Sequence, residues 1–231
     1  MNGLPNLKRC EALPRLDLTV PFSRAHPSPR YRELAVLYAR MHAEGERRLG
    51  IPSEQTFPGH SLLPHIQRIK RLIEATGAKT ILDYGAGKGL QYRPQRIVID
   101  GQIVADSVAE YWDVDEVHCY DPGYRPHSDL PSGKFDAVVC TDVLEHCPEE
   151  DLAWIVGEIF NYARRFVYLN VACFPARKTL PTGENAHVTI REPEWWQALV
   201  AEAAGRYPVV VWELSAAHLA LSEKTFRGGP S

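Results

Sequence analysis

The chain has 231 residues, of which 45% are hydrophobic and 24% charged, and a formal net charge of −3. That length suits one domain with an appendage and a substantial core. The composition is that of an ordinary globular protein, and the near-balanced charge supplies no overall basic field for nucleic acid or an anionic membrane.

Taken in order, the first thirty residues carry Pro5, Pro14, Pro21, Pro27 and Pro29, a spacing that prevents a long helix and predicts an extended arm partly packed on the body. Tyr31 to Leu49 has Leu34, Leu37, Tyr38 and Met41 at helical spacing, with Gly50 and Pro52 as the stop. A second helix is predicted from Ser61 to about Thr76, ended by Gly77, with Leu62, Ile66, Ile69, Leu72 and Ile73 on one face. Residues 1–60 thus read as arm and cap, and 61–231 as the main domain. Thr80 to Leu90 begins as a short buried strand and breaks into Asp83-Tyr84-Gly85-Ala86-Gly87-Lys88-Gly89. Glycines at every second position let backbone approach a neighbour without a Cβ in the way, and a following helical turn would add free N–H groups as a polar cradle.

Arg96 to Ala105 alternates around Asp100-Gly101, a hairpin signal, and Ser107 is an N-cap for Val108 to Trp112. Val117 to Tyr120 is a strand ending in Asp121-Pro122. Phe135 to Thr141 is the next strand, followed by Asp142 to His146 and a helix from Leu152 to Arg164 with an acidic first turn. Arg165 to Ala172 is a fifth strand, and Cys173 to Arg191 a long polar loop. A helix opened by Glu192-Pro193-Glu194 carries adjacent Trp195 and Trp196, which cannot both face the core. Tyr207 to Leu214 and His218 to Phe226 are joined so tightly that they must be antiparallel. Five scattered cysteines (Cys10, Cys119, Cys140, Cys147, Cys173) lack metal or redox spacing, and Cys119 and Cys140 fall in apolar runs as buried free thiols. With no signal-peptide pattern and no apolar run of bilayer length, the cytoplasm is the expected compartment.

Two stretches carry a resemblance. Asp-x-Gly-x-Gly-x-Gly at Asp83 to Gly89 resembles motif I of the class I S-adenosylmethionine (SAM)-dependent methyltransferases and differs from the Gly-x-Gly-x-x-Gly of dinucleotide folds. Phe135-Asp136-Ala137-Val138, followed by Val143-Leu144-Glu145-His146, resembles the run found in many small-molecule methyltransferases, including the ubiquinone-pathway O-methyltransferases. The likeness spans roughly Ser61 to Phe226. It implies a Rossmann-like, doubly wound α/β sheet, mostly parallel with an antiparallel C-terminal strand, and an N-terminal helical cap formed by the two helices before the first strand. One departure stands out: too few residues separate Asp121 from Phe135 for the usual third strand, which is expected to be reduced or missing. Motifs of nucleic-acid methyltransferases (Asn-Pro-Pro-Tyr, Pro-Cys) are absent from the sequence.

The resemblance implies SAM as cofactor, held by Asp83, Gly85, Ala86, Gly87, Gly89, Asp121, Pro122, Thr141 and Asp142. With the third-strand unit shortened, Ser128, Asp129 or Leu130 is expected to take over the adenine contacts. The acceptor is a small molecule, at oxygen or nitrogen rather than carbon. General-base candidates are His146, Glu145 and His187. Related methyltransferases with an acidic-x-x-Glu-His run hold a divalent cation there, so Asp142, Glu145, His146 and His187 are also a candidate set for Mg²⁺. The plainer alternative assigns no metal, leaving Asp142 to line the SAM pocket and Glu145 and His146 to shape the turn. His60 and His65 read as surface or packing residues, the alternative being that they face the cofactor from the cap. The rival functions are a catalytically silent SAM-binding domain and an NAD-linked α/β enzyme.

Overall fold

A computed structural model describes residues 22–218 and 221–230. Cys10 and most of the proline-rich arm lie outside the described residues. Among the described residues the helices and strands are, in order, α1 (Pro29–Glu44), α2 (Ile66–Thr76), β1 (Thr80–Tyr84), β2 (Ile97–Ile99), β3 (Gln102–Ala105), α3 (Val108–Trp112), β4 (Glu116–Tyr120), β5 (Phe135–Thr141), α4 (Glu149–Tyr162), β6 (Ala163–Ala172), α5 (Pro193–Ala204), β7 (Val211–His218) and β8 (Leu221–Gly228). Six strands make one sheet in the order β4-β1-β5-β6-β7-β8, all parallel except β8, which runs antiparallel to β7 at the edge. The fold is Rossmann-like α/β.

The sheet is covered on both faces, as parallel strands require. Along β5 and β6 the side chains alternate. Val138, Cys140, Val167, Leu169 and Val171 pack under α4 and α5, while Ala137, Val139, Phe166 and Tyr168 pack under α2 and α3. The second helix of the sequence reading therefore belongs to the sheet's covering layer. Pro64 keeps residues 60–65 in a 3₁₀ turn, and α2 begins only at Ile66. Its buried face is Ile66, Ile69 and Ile73. Among the described residues, α1 is the helix that lies over the cavity as a cap. Ser28 caps it, accepting from the Tyr31 N–H at 2.9 Å, with Pro29 in the first turn. It stops at Gly45, short of the Leu49 expected, because Glu46 and Ile51 bridge antiparallel immediately afterwards.

The third strand is absent as expected: residues 121–134 hold a single 3₁₀ turn at Arg125–His127, and β4 forms the sheet edge. The hairpin β2–β3 stands apart as a two-stranded sheet, with Asp100 and Gly101 at φ of 50° and 80° as a tight hairpin turn demands. The last strands are shifted from the predicted ranges, β7 starting at Val211 and β8 ending at Gly228. Trp196 is fully buried and Trp195 half-buried. Cys140 is a buried thiol, whereas Cys119 is only half-buried. Among the described residues no helix is long and apolar enough to cross a membrane.

Candidate functional site

β1 is flanked by β4 on one side and β5 on the other, so the chain reverses its winding direction there. Open α/β sheets bind ligands at such a switch point, beyond the carboxyl ends of the strands. A cavity of about 310 Å³ lies at that place. Its floor is Gly85 and Gly87 after β1, Asp121 and Pro122 after β4, and Thr141 and Asp142 at the end of β5. Tyr31, Leu34, Tyr38 and His42 on α1 form the roof, with Phe57 and Lys178 closing one wall. Leu34 and Met41 anchor α1 against Leu180 and Ala186 of the loop 173–192, so roof and loop are one packed unit.

The glycine turn is occupied by the protein itself. A Cβ on Gly85 would stand 2.3 Å from Val143 Cγ2, and one on Gly87 would stand 2.3 Å from the Phe57 carbonyl. The Gly85 and Ala86 N–H groups donate to the Tyr120 carbonyl at 2.7 and 3.0 Å. Lys88 donates to Phe57 at 2.9 Å and Leu90 to Pro58 at 3.0 Å. The expected cradle of free N–H groups is thus already satisfied. Ala86 is buried and, like Gly89, does not line the cavity; Gly89 packs against Cys119 and His127.

Asp83 also departs from expectation. It is buried away from the cavity, and its Oδ2 accepts from Gln91 Nε2 at 2.8 Å and Tyr92 Oη at 2.9 Å. Burial pushes its carboxyl up to about 6. It braces the turn Leu90–Tyr92 and does not line the cavity. Asp121 does face the cavity. Its Oδ2 accepts from the Gly87 N–H at 2.9 Å and its Oδ1 from the Gly123 N–H at 2.8 Å, leaving each oxygen capacity for one more donor. Burial raises its carboxyl above the usual range. Of the residues expected to contact adenine, Asp129 and Leu130 are exposed, Ser128 donates to the Arg125 carbonyl, and none of the three lines the cavity.

At the other end of the floor, Asp142 adopts φ +60°, a left-handed conformation uncommon for any residue but glycine and cheapest for Asn and Asp. That kink, followed by the 3₁₀ turn Leu144–His146, aims Asp142 and His146 at the same point. His187 reaches it from the loop after β6. One ligand atom from each of Asp142, His146 and His187 lies within 4.8 Å of the others. His146 Nδ1 lies 2.8 Å from the Ala186 carbonyl and His187 Nδ1 lies 2.5 Å from the Phe174 carbonyl. A carbonyl only accepts, so each Nδ1 carries the proton and each Nε2 keeps its lone pair. Tyr38 Oη completes the support, 3.0 Å from His146 Nδ1 and donating to Ala186 at 2.6 Å. Burial holds the His146 imidazole below its ordinary value, so the ring is neutral near pH 7.

Two imidazoles pinned through Nδ1 to carbonyls, each offering Nε2 beside one carboxylate, fit a divalent metal. Two nitrogens and one oxygen suit Zn²⁺, Mn²⁺ or Fe²⁺ better than Mg²⁺, which prefers all-oxygen surroundings. Glu145 is outside this set. Its Oε1 accepts from the Ala172 N–H at 2.6 Å, and its backbone carbonyl accepts from Thr189, so it ties the turn to β6 and the loop. Burial and the neighbouring Asp142 push its carboxyl well above the usual range. It positions its neighbours and does not reach the cavity. His60 is exposed at the cavity rim, and His65 is buried against Tyr168, Nδ1 to Oη 2.8 Å.

Tyr31, Leu34, Tyr38 and His42 were not singled out together by sequence, although their spacing marks one helical face that continues the apolar stripe into polar residues. His42 accepts from Lys88 Nζ at 3.1 Å through Nδ1, and burial followed by Lys88 lowers its imidazole to about 3. Lys178 reads in the sequence as one polar residue of the loop Cys173 to Arg191, with no role of its own. No family model, curated protein or solved structure matches the chain.

Proposed function

We propose that the protein is a SAM-dependent methyltransferase acting on oxygen or nitrogen of a small-molecule acceptor, with a divalent metal at Asp142, His146 and His187. One observation carries the reading. The glycine turn, the acidic residue closing the next strand, and the Thr141-Asp142 end of β5 line a single cavity at the switch point of the sheet. Gly85, Gly87, Asp121 and Thr141 are the residues of this chain that would hold the cofactor, which supplies an electrophilic methyl group on a sulfonium. Asp142, His146 and His187 are the residues that would hold a divalent metal, which would supply Lewis acidity to an acceptor hydroxyl.

The chain's own residues do the rest. Tyr38 and the carbonyls of Ala186 and Phe174 hold both imidazoles in the tautomer that offers Nε2. Asp121 stays fixed by two backbone N–H groups, so it presents oriented acceptors without reorganising. The α1 roof narrows the cavity and would hold bound groups in place, and such positioning supplies several kcal/mol toward a bimolecular displacement, on the order of 7 in well-aligned cases.

A silent SAM-binding domain is favoured by one observation: every expected adenine contact stands away from the cavity. Calorimetric titration with S-adenosylhomocysteine, with NAD in parallel and Asp121→Ala as control, tests both. Micromolar binding weakened by the substitution supports the cofactor reading, and turnover with any acceptor then separates enzyme from silent binder. No binding by folded protein, or preferential binding of NAD, refutes it.

A further inference from the structure

Lys178 is an unusual cation. It projects from the loop 173–192 into the cavity, its Nζ 4.6 Å from the centre of the Phe57 ring. Among the described residues its Nζ makes no hydrogen bond and no ion pair. Asp142 and Glu46 attract it only from beyond contact distance, and burial, the larger effect, lowers its pKa. The other lysine near the site, Lys88, is spoken for by His42 Nδ1 and the His42 carbonyl. An ammonium removed from water without a counter-charge is unfavourable, and a ring face offsets only part of that, roughly 0.5–2 kcal/mol. The cost is recovered when an anion sits opposite it. The neighbouring walls are ring faces and edges of Phe57 and Tyr38, which suit a flat, partly apolar molecule.

We propose that Lys178 recognises an anionic group on the methyl acceptor, which is therefore a hydroxyl- or amine-bearing carboxylic acid or phosphate ester. The assignment rests on the methyltransferase reading for the word acceptor, but the anion site stands on the geometry of Lys178 alone. It places the negative group of the substrate at the loop wall and leaves its nucleophilic atom free to face Asp142 and His146. Lys178 is thus the residue that selects acids over their neutral counterparts, by pairing a half-buried charge that has no other partner.

The test uses the full-length protein with chelator present, so that no metal can bind the probes. Benzoate, phenyl phosphate and benzamide are titrated by tryptophan fluorescence into wild type, Lys178→Met and Lys178→Arg, with S-adenosylhomocysteine titrated in parallel. Wild type should prefer one anion over neutral benzamide by roughly tenfold or more, and which anion is preferred distinguishes carboxylate from phosphate. Lys178→Met should abolish the preference, Lys178→Arg should retain it in part, and S-adenosylhomocysteine affinity should hold across all three. Lys178→Gln serves if the methionine variant melts early. Equal affinity for the three probes, or no binding of any of them, overturns the proposal, as does a preference that survives Lys178→Met. Loss of S-adenosylhomocysteine binding in Lys178→Met also overturns it, by giving Lys178 to the cofactor. Failure of wild type to bind S-adenosylhomocysteine refutes the cofactor reading and leaves the anion comparison intact.

Discussion

Arg24 is the point at which the N-terminal arm is fastened to the sheet, and its removal should be felt well beyond its own position. Its guanidinium forms a two-point pair with Glu158 of α4, with Nε to Oε2 at 2.8 Å, and donates to Tyr120 Oη at 3.0 Å and Tyr84 Oη at 2.8 Å. It also lies 5.0 Å from the Trp154 ring. Four residues on, the Ser28 N–H donates to Asp151 Oδ1 at 3.1 Å, two helical turns back along α4. The arm therefore runs antiparallel to α4 and delivers Pro29 to the start of the roof helix.

Breaking a buried charge pair costs about 3–5 kcal/mol. With side-chain exposures of 30% for Arg24 and 16% for Glu158, the lower end applies, so Arg24→Met should cost about 3 kcal/mol. For a chain of this length that is a fall of roughly 6–12 °C in Tm. A double-mutant cycle with Glu158→Gln, followed by urea denaturation, should return a coupling energy of about 1.5–2 kcal/mol. Because α1 roofs the cavity, the same variant should bind S-adenosylhomocysteine more weakly than its loss of global stability alone would predict. A loss below about 0.5 kcal/mol, the scale of an exposed pair, would refute the clamp, and coupling near zero would show that Glu158 is not its partner.

His42 is buried with its imidazole lowered to about 3. The unfolded chain then binds a proton that the native state rejects as pH falls below about 6.5, and stability is lost down to about pH 3, roughly 2 kcal/mol by pH 5. His42→Gln should flatten that part of the pH–stability curve, and an unchanged slope would refute it. Gly85→Ala should destabilise by more than about 3 kcal/mol, since φ of +86° and the Val143 side chain both oppose a Cβ. Gly101→Ala, at φ +80° with open space around it, should cost only the left-handed penalty of about 1–2 kcal/mol; chemical denaturation of the pair checks the contrast, and equal losses would sink it. Zn²⁺ or Mn²⁺ should bind wild type in preference to Mg²⁺, and His187→Ala should lose more affinity than the roughly 10–100-fold typical of supporting partners. Metal binding unchanged in that variant would remove His187 from the site.

Much of the fold was readable where a segment's own residues decide its structure. Phe135 to Thr141, with the apolar run Ala137 to Cys140 at its centre and turn signals on either side, became β5 with the same limits. Asp100-Gly101 supplied the two positive φ values that a tight hairpin needs. Boundaries failed where a partner decides them. Leu49 fits the stripe of α1, yet the bridge between Glu46 and Ile51 ends the helix earlier. The run Val209-Val210-Val211-Trp212 has no internal mark of where a strand begins. Its start comes from the pairing of Val211 with Phe166, which leaves Val209 71% exposed.

The site shows the same division more sharply. The positions of Gly85 and Gly87 gave the turn, but what presses against them, Val143 and the Phe57 carbonyl, comes from distant segments. Space that looks reserved for a ligand is partly spent on joining the glycine turn to the 57–59 loop and the β5 turn. Asp83 follows the same logic: the short turn after Gly89 returns Gln91 and Tyr92 to its carboxylate, so the acidic residue of the motif braces the turn from behind. Asp121, to which no downstream side chain hydrogen-bonds, is left facing the cavity together with Asp142. Asp142 and His146 are close in sequence and readable as a pair. His187 joins them only because Asn185 Oδ1 accepts from its N–H at 2.9 Å and the Phe174 carbonyl accepts from its ring at 2.5 Å. The chemically dense end of the cavity is thus at β5 and β6, while the glycine turn after β1 lends Gly85 and Gly87 to the floor and is braced from behind by distant segments.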